Sequence, residues 1–136
     1  MTPTLVDSNI LLDIATKDPD WFDWSCHALE TAANESTLVI NAIIYAEVSI
    51  RFERIEELET AIPVSLYRRE PLPFEAAFLA GKAFLRYRRR GGARIRPLPD
   101  FFIGAHAAIA QYRLLTRDAR RYRTYFPSVE LVSPQS

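Results

Sequence analysis

The sequence predicts an α/β fold in which a mainly parallel sheet is covered by helices on both faces. Three observations carry this. Short β-prone runs of continuous apolar character, TLV at 4–6, TLVI at 37–40, LLT at 114–116 and VELV at 129–132, recur along the chain. Segments of helical spacing separate them, as crossover connections between parallel strands require. Acidic or polar residues follow the runs directly, where open sheets of this kind collect ligands.

TLV ends in DSN, and ILLDI continues with helical spacing, giving strand, turn and helix. WFDWSCHALETAA, 21–33, puts Trp21, Trp24 and Ala28 on one side of a second helix. After the strand at 37–40, Asn41 is placed to cap a helix from Ala42. The helical stretch 42–62 should break near 51–54. VSLY, 64–67, reads as a short strand after Pro63, and a long amphipathic helix runs from about Pro73 to Arg90, stopped by Gly91 and Gly92. Its Phe74, Phe78, Gly81 and Leu85 share a face, expected to meet the core or a second copy. ARIRPLP forms a loop that delivers Asp100 to a helix reaching about Arg113, followed by LLT, a short helix over 118–122 and a closing strand at 129–132.

Composition limits the function classes. The 136 residues, 49% hydrophobic and 25% charged, suit one domain spanning 1–136 with a single core. No apolar run approaches the roughly 20 residues that cross a bilayer, and the N-terminus has no leader pattern, so a cytoplasmic location is expected. The lone Cys26 cannot pair within the chain, and no Cys/His spacing suits zinc. His27 and His106 read as ordinary surface or packed histidines, and no nucleophile elbow or phosphate loop is present.

Net charge is zero, but residues 1–80 hold 14 acids and 5 bases while 81–125 hold 2 acids and 12 bases. Most of the latter are arginines interleaved with tyrosines. Arg86, Arg88, Arg89, Arg90, Arg117 and Arg120 therefore become candidates for nucleic-acid contact, by guanidinium–phosphate pairing and base stacking. Pairing with the acidic half is the plainer role for any one of them.

Four acids stand out. Asp7 follows the first strand, Glu47 lies on a partly apolar helix face, and Asp100 and Asp118 stand at later helix starts. Each has an ordinary explanation as a cap or ion pair; together they outline a carboxylate-lined site at one sheet edge. Two carboxylates about 5 Å apart repel by roughly 3 kcal/mol at an effective dielectric near 20, so several need protons or a cation. Oxygen ligands alone favour Mg²⁺ or Mn²⁺ over zinc.

LVDSNILLD, NAIIYAEV, PLPDFFIGAHA and LLTRDARRYRTYFPSVELVSP, in this order, resemble a PIN-domain ribonuclease, specifically a VapC-type toxin of a toxin–antitoxin pair. The resemblance implies a three-layer α/β/α fold, Mg²⁺- or Mn²⁺-dependent hydrolysis of RNA, a homodimer and an antitoxin partner. It also implies that Asp7 and Asp100 are principal metal ligands, that Glu47 and Asp118 complete the cluster, and that Ser8, Asn9 and Thr116 support the first acid. Residues 51–97 match in layout but carry no diagnostic residues. The main alternative is a binding module that holds nucleic acid or a partner protein through the Arg86–Arg96 arm without chemistry. A phosphoryl-accepting domain would want a lysine near the last strand, and the only lysines are Lys17 and Lys82.

Overall fold

The computed structural model describes residues 2–92 and 97–134. Five parallel strands form one sheet in the order β3-β2-β1-β4-β5, where β1 is Thr4–Val6, β2 Leu38–Ile40, β3 Tyr67–Arg69, β4 Arg113–Leu115 and β5 Leu131–Val132. The first three strands step one way from β1 and the last two step the other way. Right-handed crossovers then put α1 (Ser8–Ala15), α2 (Phe22–Glu35), α3 (Ala42–Ser49) and α4 (Ile55–Ala61) on one face. The opposite face carries α5 (Phe74–Arg89), α6 (Leu98–Ala110) and α7 (Arg120–Tyr125). The result is a three-layer α/β/α arrangement. Leu5, Val6, Val39, Ile40, Leu114 and Leu115 are fully buried between the layers, which is why these strands read as unbroken apolar runs.

Local chemistry sets the boundaries. The Asp7 side chain caps α1 by accepting from the Ser8 N–H, and Asn41 caps α3 by accepting from the Ile44 N–H at 3.0 Å. The 42–62 stretch divides as its pattern predicts, between Ser49 and Ile55. Gly91, at φ +94°, supplies the left-handed residue that ends α5.

Two expectations need correction, and of the two roles expected for the α5 face the core role falls away. The third strand is not VSLY but Tyr67–Arg69: Leu66 and Tyr67 turn back onto the Pro63 carbonyl, so the extended part falls on arginines. Those charges suit an edge strand, which must discourage further pairing. The last strand shrinks to Leu131–Val132. On α5, Phe74 and Phe78 face solvent, 89% and 69% exposed. Ala76, Ala80 and Ala83 turn inward instead, because small side chains let α5 lie close against α6.

Candidate active site

β1 and β4 are parallel neighbours paired Val6 to Leu115, so the residues that follow them leave the sheet at the same rim. Asp7 and Thr116 are those residues. Asp7 is 2% exposed. Its Oδ1 accepts from the Ser8 N–H at 2.7 Å, and its Oδ2 accepts from Thr116 Oγ1 at 2.8 Å and from the Tyr122 hydroxyl at 2.9 Å. Thr116 is oriented in turn, since its Oγ1 accepts from Asn9 Nδ2 and from the Asp118 N–H, both at 3.2 Å. Asn9 also receives the Arg117 N–H, tying α1 to the β4–α7 loop.

Glu47 comes to this rim from the middle of α3. Its Oε1 accepts from Ser8 Oγ at 2.7 Å, and not from Arg51. Asp100 sits in the first turn of α6, two residues inside the helix start, and its Oδ2 receives Arg121 Nη1 at 2.7 Å. Asp118 is exposed at the mouth, between Thr116 and α7.

The acids sense one another. Burial, then the charge of Asp100, raises the Asp7 carboxyl to about 7, with Glu47 adding to the rise; the Thr116 and Tyr122 hydroxyls oppose it. Asp100 is also raised, first by burial, with Arg121 pulling it down and Asp118 pushing it up. Glu47 is raised by burial and by Asp100, against the Ser8 hydrogen bond. Tyr122, buried beside these anions, is pushed well above the ordinary phenol range, so it stays a donor.

The donor set consists of oxygens only. Among the described residues no three acidic, imidazole or thiol side chains close tightly enough to enclose an ion. Three of the four carboxylates are held by donors: Ser8, Thr116 and Tyr122 on Asp7, Ser8 on Glu47, and the Arg121 guanidinium on Asp100. A hard divalent cation that keeps several waters needs only one or two direct carboxylates, and burial, with the neighbouring acids adding to it, raises all three carboxyls, so that ionising them together calls for a counter-charge. In donor chemistry the residues fit such an ion.

Next to the acids, Tyr87, Asp118, Arg120, Arg121, Arg123, Thr124 and Tyr125 line a cleft of about 990 Å³. Tyr87 and Tyr125 of its wall are backed by an aromatic cluster in which buried Phe101 meets Phe84, Tyr87, Tyr125 and Phe126 at centroid distances of 5.2 to 6.1 Å. Arg86 and Arg90 lie over the Tyr125 ring, each at 5.6 Å. Arg88 lies over Phe84, and Arg89 is exposed. Arg94 and Arg96 lie outside the described residues. Arg117 is committed elsewhere: it makes a two-pronged pair with buried Asp13, at 2.9 Å on each oxygen, and lies over Trp21.

The sequence reading passed over Tyr122, Arg121 and Asp13. Tyr122 stands four residues before Phe126, and both pack against Gly104 of α6, where an added Cβ would meet Phe126 Cδ2 at 2.4 Å. That i, i+4 aromatic pair opposite a glycine is a signal of burial that the surrounding arginines obscured.

The PIN domain family profile matches residues 4–127. The chain belongs to the PIN-domain family. No curated protein matches it significantly in sequence. Solved structures similar to this PIN domain include VapBC2 from Rickettsia felis bound to a DNA fragment from their promoter, with TM-score 0.73, 20% identity and coverage of 96% of this chain and 98% of that one. VapBC-1 from nontypeable Haemophilus influenzae is similar at TM-score 0.73 and 15% identity, covering 98% and 99%. A toxin–antitoxin complex from Klebsiella pneumoniae is similar at TM-score 0.70 and 22% identity, covering 96% and 97%.

Proposed function

We propose that this PIN-domain chain is a divalent-metal-dependent endoribonuclease and the toxin of a toxin–antitoxin pair. One observation carries the reading: Asp7, almost fully buried at the rim after β1, is electrostatically coupled to Glu47 and Asp100, which arrive there from two other helices. A buried carboxylate with two further carboxylates beside it is costly unless a cation or substrate chemistry employs it. A module that bound nucleic acid through its arginines alone would have no use for it.

In this reading Asp7 and Asp100 hold Mg²⁺ or Mn²⁺ directly, with Glu47 and Asp118 completing the negative field. The ion, when bound, supplies Lewis acidity and a water of lowered pKa. Ser8, Thr116 and Tyr122 fix the orientation of the carboxylates, Asn9 fixes Thr116, and Tyr122 remains protonated throughout. The cleft between α5 and α7 guides the RNA strand, with Arg86, Arg90, Arg120 and Arg123 facing phosphates and Tyr87 and Tyr125 offering rings to bases. Arg88 and Arg89 extend the same basic end of α5. Arg117 is assigned to holding the β4–α7 loop.

The partners in this reading are an antitoxin and a second copy of the chain. The similar structures are described as toxin–antitoxin or VapBC complexes, which supports the first. The exposed apolar face of α5 supports a protein contact. Among the described residues no helix is long and apolar enough to cross a membrane.

The test is incubation of purified protein with total cellular RNA in Mn²⁺ or EDTA, followed by mapping of new ends. Discrete ends that require Mn²⁺ support the reading. RNA bound but uncut under every divalent ion tried would replace it with the binding module.

A further inference from the structure

Arg121 occupies a boundary. Its backbone belongs to α7, one residue before the buried Tyr122, so the main chain there is anchored. Its side chain is about one-third exposed and reaches Asp100 Oδ2 at 2.7 Å. The same guanidinium lies 5.8 Å from the Tyr87 ring and lines the basic cleft. Among the described residues it is the one guanidinium paired with any of the four acids. Arg120 and Arg123, its neighbours in the cleft, pair with no carboxylate there.

We propose that Arg121 is a built-in counter-ion that competes with the divalent cation for the Asp100 carboxylate, and that cation binding turns it into the cleft to meet a substrate phosphate. This rests on the reading of Asp7, Glu47, Asp100 and Asp118 as a cation site. A guanidinium and a divalent ion cannot both sit on one carboxylate oxygen, because their like charges would lie within a few ångströms of each other. The ion, with two charges and ligands from several acids, takes the carboxylate. A partly solvated arginine gives way by rotamer change without moving the helix.

Once released, Arg121 has a place to go. It keeps the Tyr87 ring face it already lies over, and Arg120 and Arg123 mark the cleft beside it as a path for a polyanion. Arg121 thereby becomes a positioning residue that links occupation of the acid site to capture of the strand, a coupling that is reciprocal by thermodynamic necessity. Without the ion it limits the crowding of anions at the rim, and with the ion it adds a phosphate contact.

The test measures Mn²⁺ binding by isothermal titration on the full chain, for the wild type and for Arg121→Gln, Arg121→Lys and Arg120→Gln, each checked for folding by circular dichroism. Arg121→Met is the second neutral variant if Arg121→Gln does not fold. Removing the competing charge should tighten Mn²⁺ binding by about three- to tenfold, since a partly exposed charge-assisted pair is worth that much. Arg121→Lys keeps the charge and Arg120→Gln removes a charge that touches no acid, so both should stay within about twofold of wild type. In Mn²⁺, Arg121→Gln should also bind a phosphorothioate single-stranded oligonucleotide about three- to tenfold more weakly. Unchanged or weaker Mn²⁺ binding by Arg121→Gln beside a wild type that binds overturns the inference and leaves the site reading standing. An equal gain in Arg120→Gln overturns it too, by showing a long-range charge effect alone. Wild type and Arg121→Gln both failing to take up Mn²⁺ overturns the site reading and this inference together.

Discussion

The Tyr122 hydroxyl donates to Asp7 Oδ2 at 2.9 Å, joining α7 to the residue that follows β1 across 115 positions of sequence. The same oxygen receives Thr116, so a carboxylate with almost no solvent around it keeps donors on both oxygens. Removing one donor is therefore informative. Tyr122→Phe should cost about 0.5–1.5 kcal/mol of stability. Because the lost bond favoured the charged carboxylate, the Asp7 carboxyl should rise further, and the acid limb of Mn²⁺ binding should move to higher pH. Titrations at pH 6, 7 and 8 check this; an unmoved acid limb would separate Tyr122 from the site.

Burial and Asp100 raise the Asp7 carboxyl from 3.8 to about 7, and the sign of its effect on stability follows. Between those values the folded chain holds a proton that the unfolded chain has released. This group's favourable contribution is thus present below pH 3.8 and is lost as pH rises through about 7. In EDTA, Asp7→Asn should remove that loss and gain on the order of 1–3 kcal/mol at pH 8, with little gain at pH 4. Urea denaturation at the two pH values measures it. Equal gains at both would place the effect in packing rather than charge.

Gly104 touches the site from behind. An added Cβ would stand 2.4 Å and 2.6 Å from two Phe126 ring carbons and 3.0 Å from Tyr122 Cδ1. Gly104→Ala should destabilise by about 1–3 kcal/mol through overpacking. It should also weaken Mn²⁺ binding, because Phe126, the ring displaced most, shares the Gly104 contact with Tyr122, whose hydroxyl orients Asp7. Thermal denaturation and titration together decide between a purely local clash and the coupled effect.

The two classes of arginine should separate cleanly. Arg117→Ala leaves buried Asp13 with Ser25 as its remaining side-chain donor and should cost about 1–3 kcal/mol. Arg123→Ala removes an exposed charge in the cleft; it should leave stability unchanged, weaken oligonucleotide binding and reduce the salt slope by about 1. Oligonucleotide binding by salt titration and stability by urea denaturation, run on both variants, check the assignment.

The parallel sheet was legible because its strands are buried on both faces, so Leu5, Val6, Val39 and Leu114 left unbroken apolar runs. Asn41 as a cap and the break after Ser49 were equally readable, since both are local effects. The edge strand was not: its Arg68 and Arg69 face outward as edge protection, and propensity scales read such residues as coil. The core half of the α5 expectation failed for a related reason. A stripe of Phe74 and Phe78 has the spacing of a core face, yet the close approach of α6 selected the alanines. The rim acids could be named from their positions after strands and at helix starts. Which arginine pairs with which acid could not, because Arg117 leaves the loop after β4 toward α1 and Arg121 leaves α7 toward α6, a difference of direction set by the tertiary fold.

The most direct measurement is RNA cleavage by purified wild type, Asp7→Asn and Asp100→Asn in Mn²⁺, with the fold of each variant verified and Mn²⁺ uptake measured on the same samples. The expected result is discrete cleavage by the wild type that EDTA abolishes, and loss of both cleavage and tight Mn²⁺ uptake in the two folded variants. Cleavage retained by both variants would contradict it.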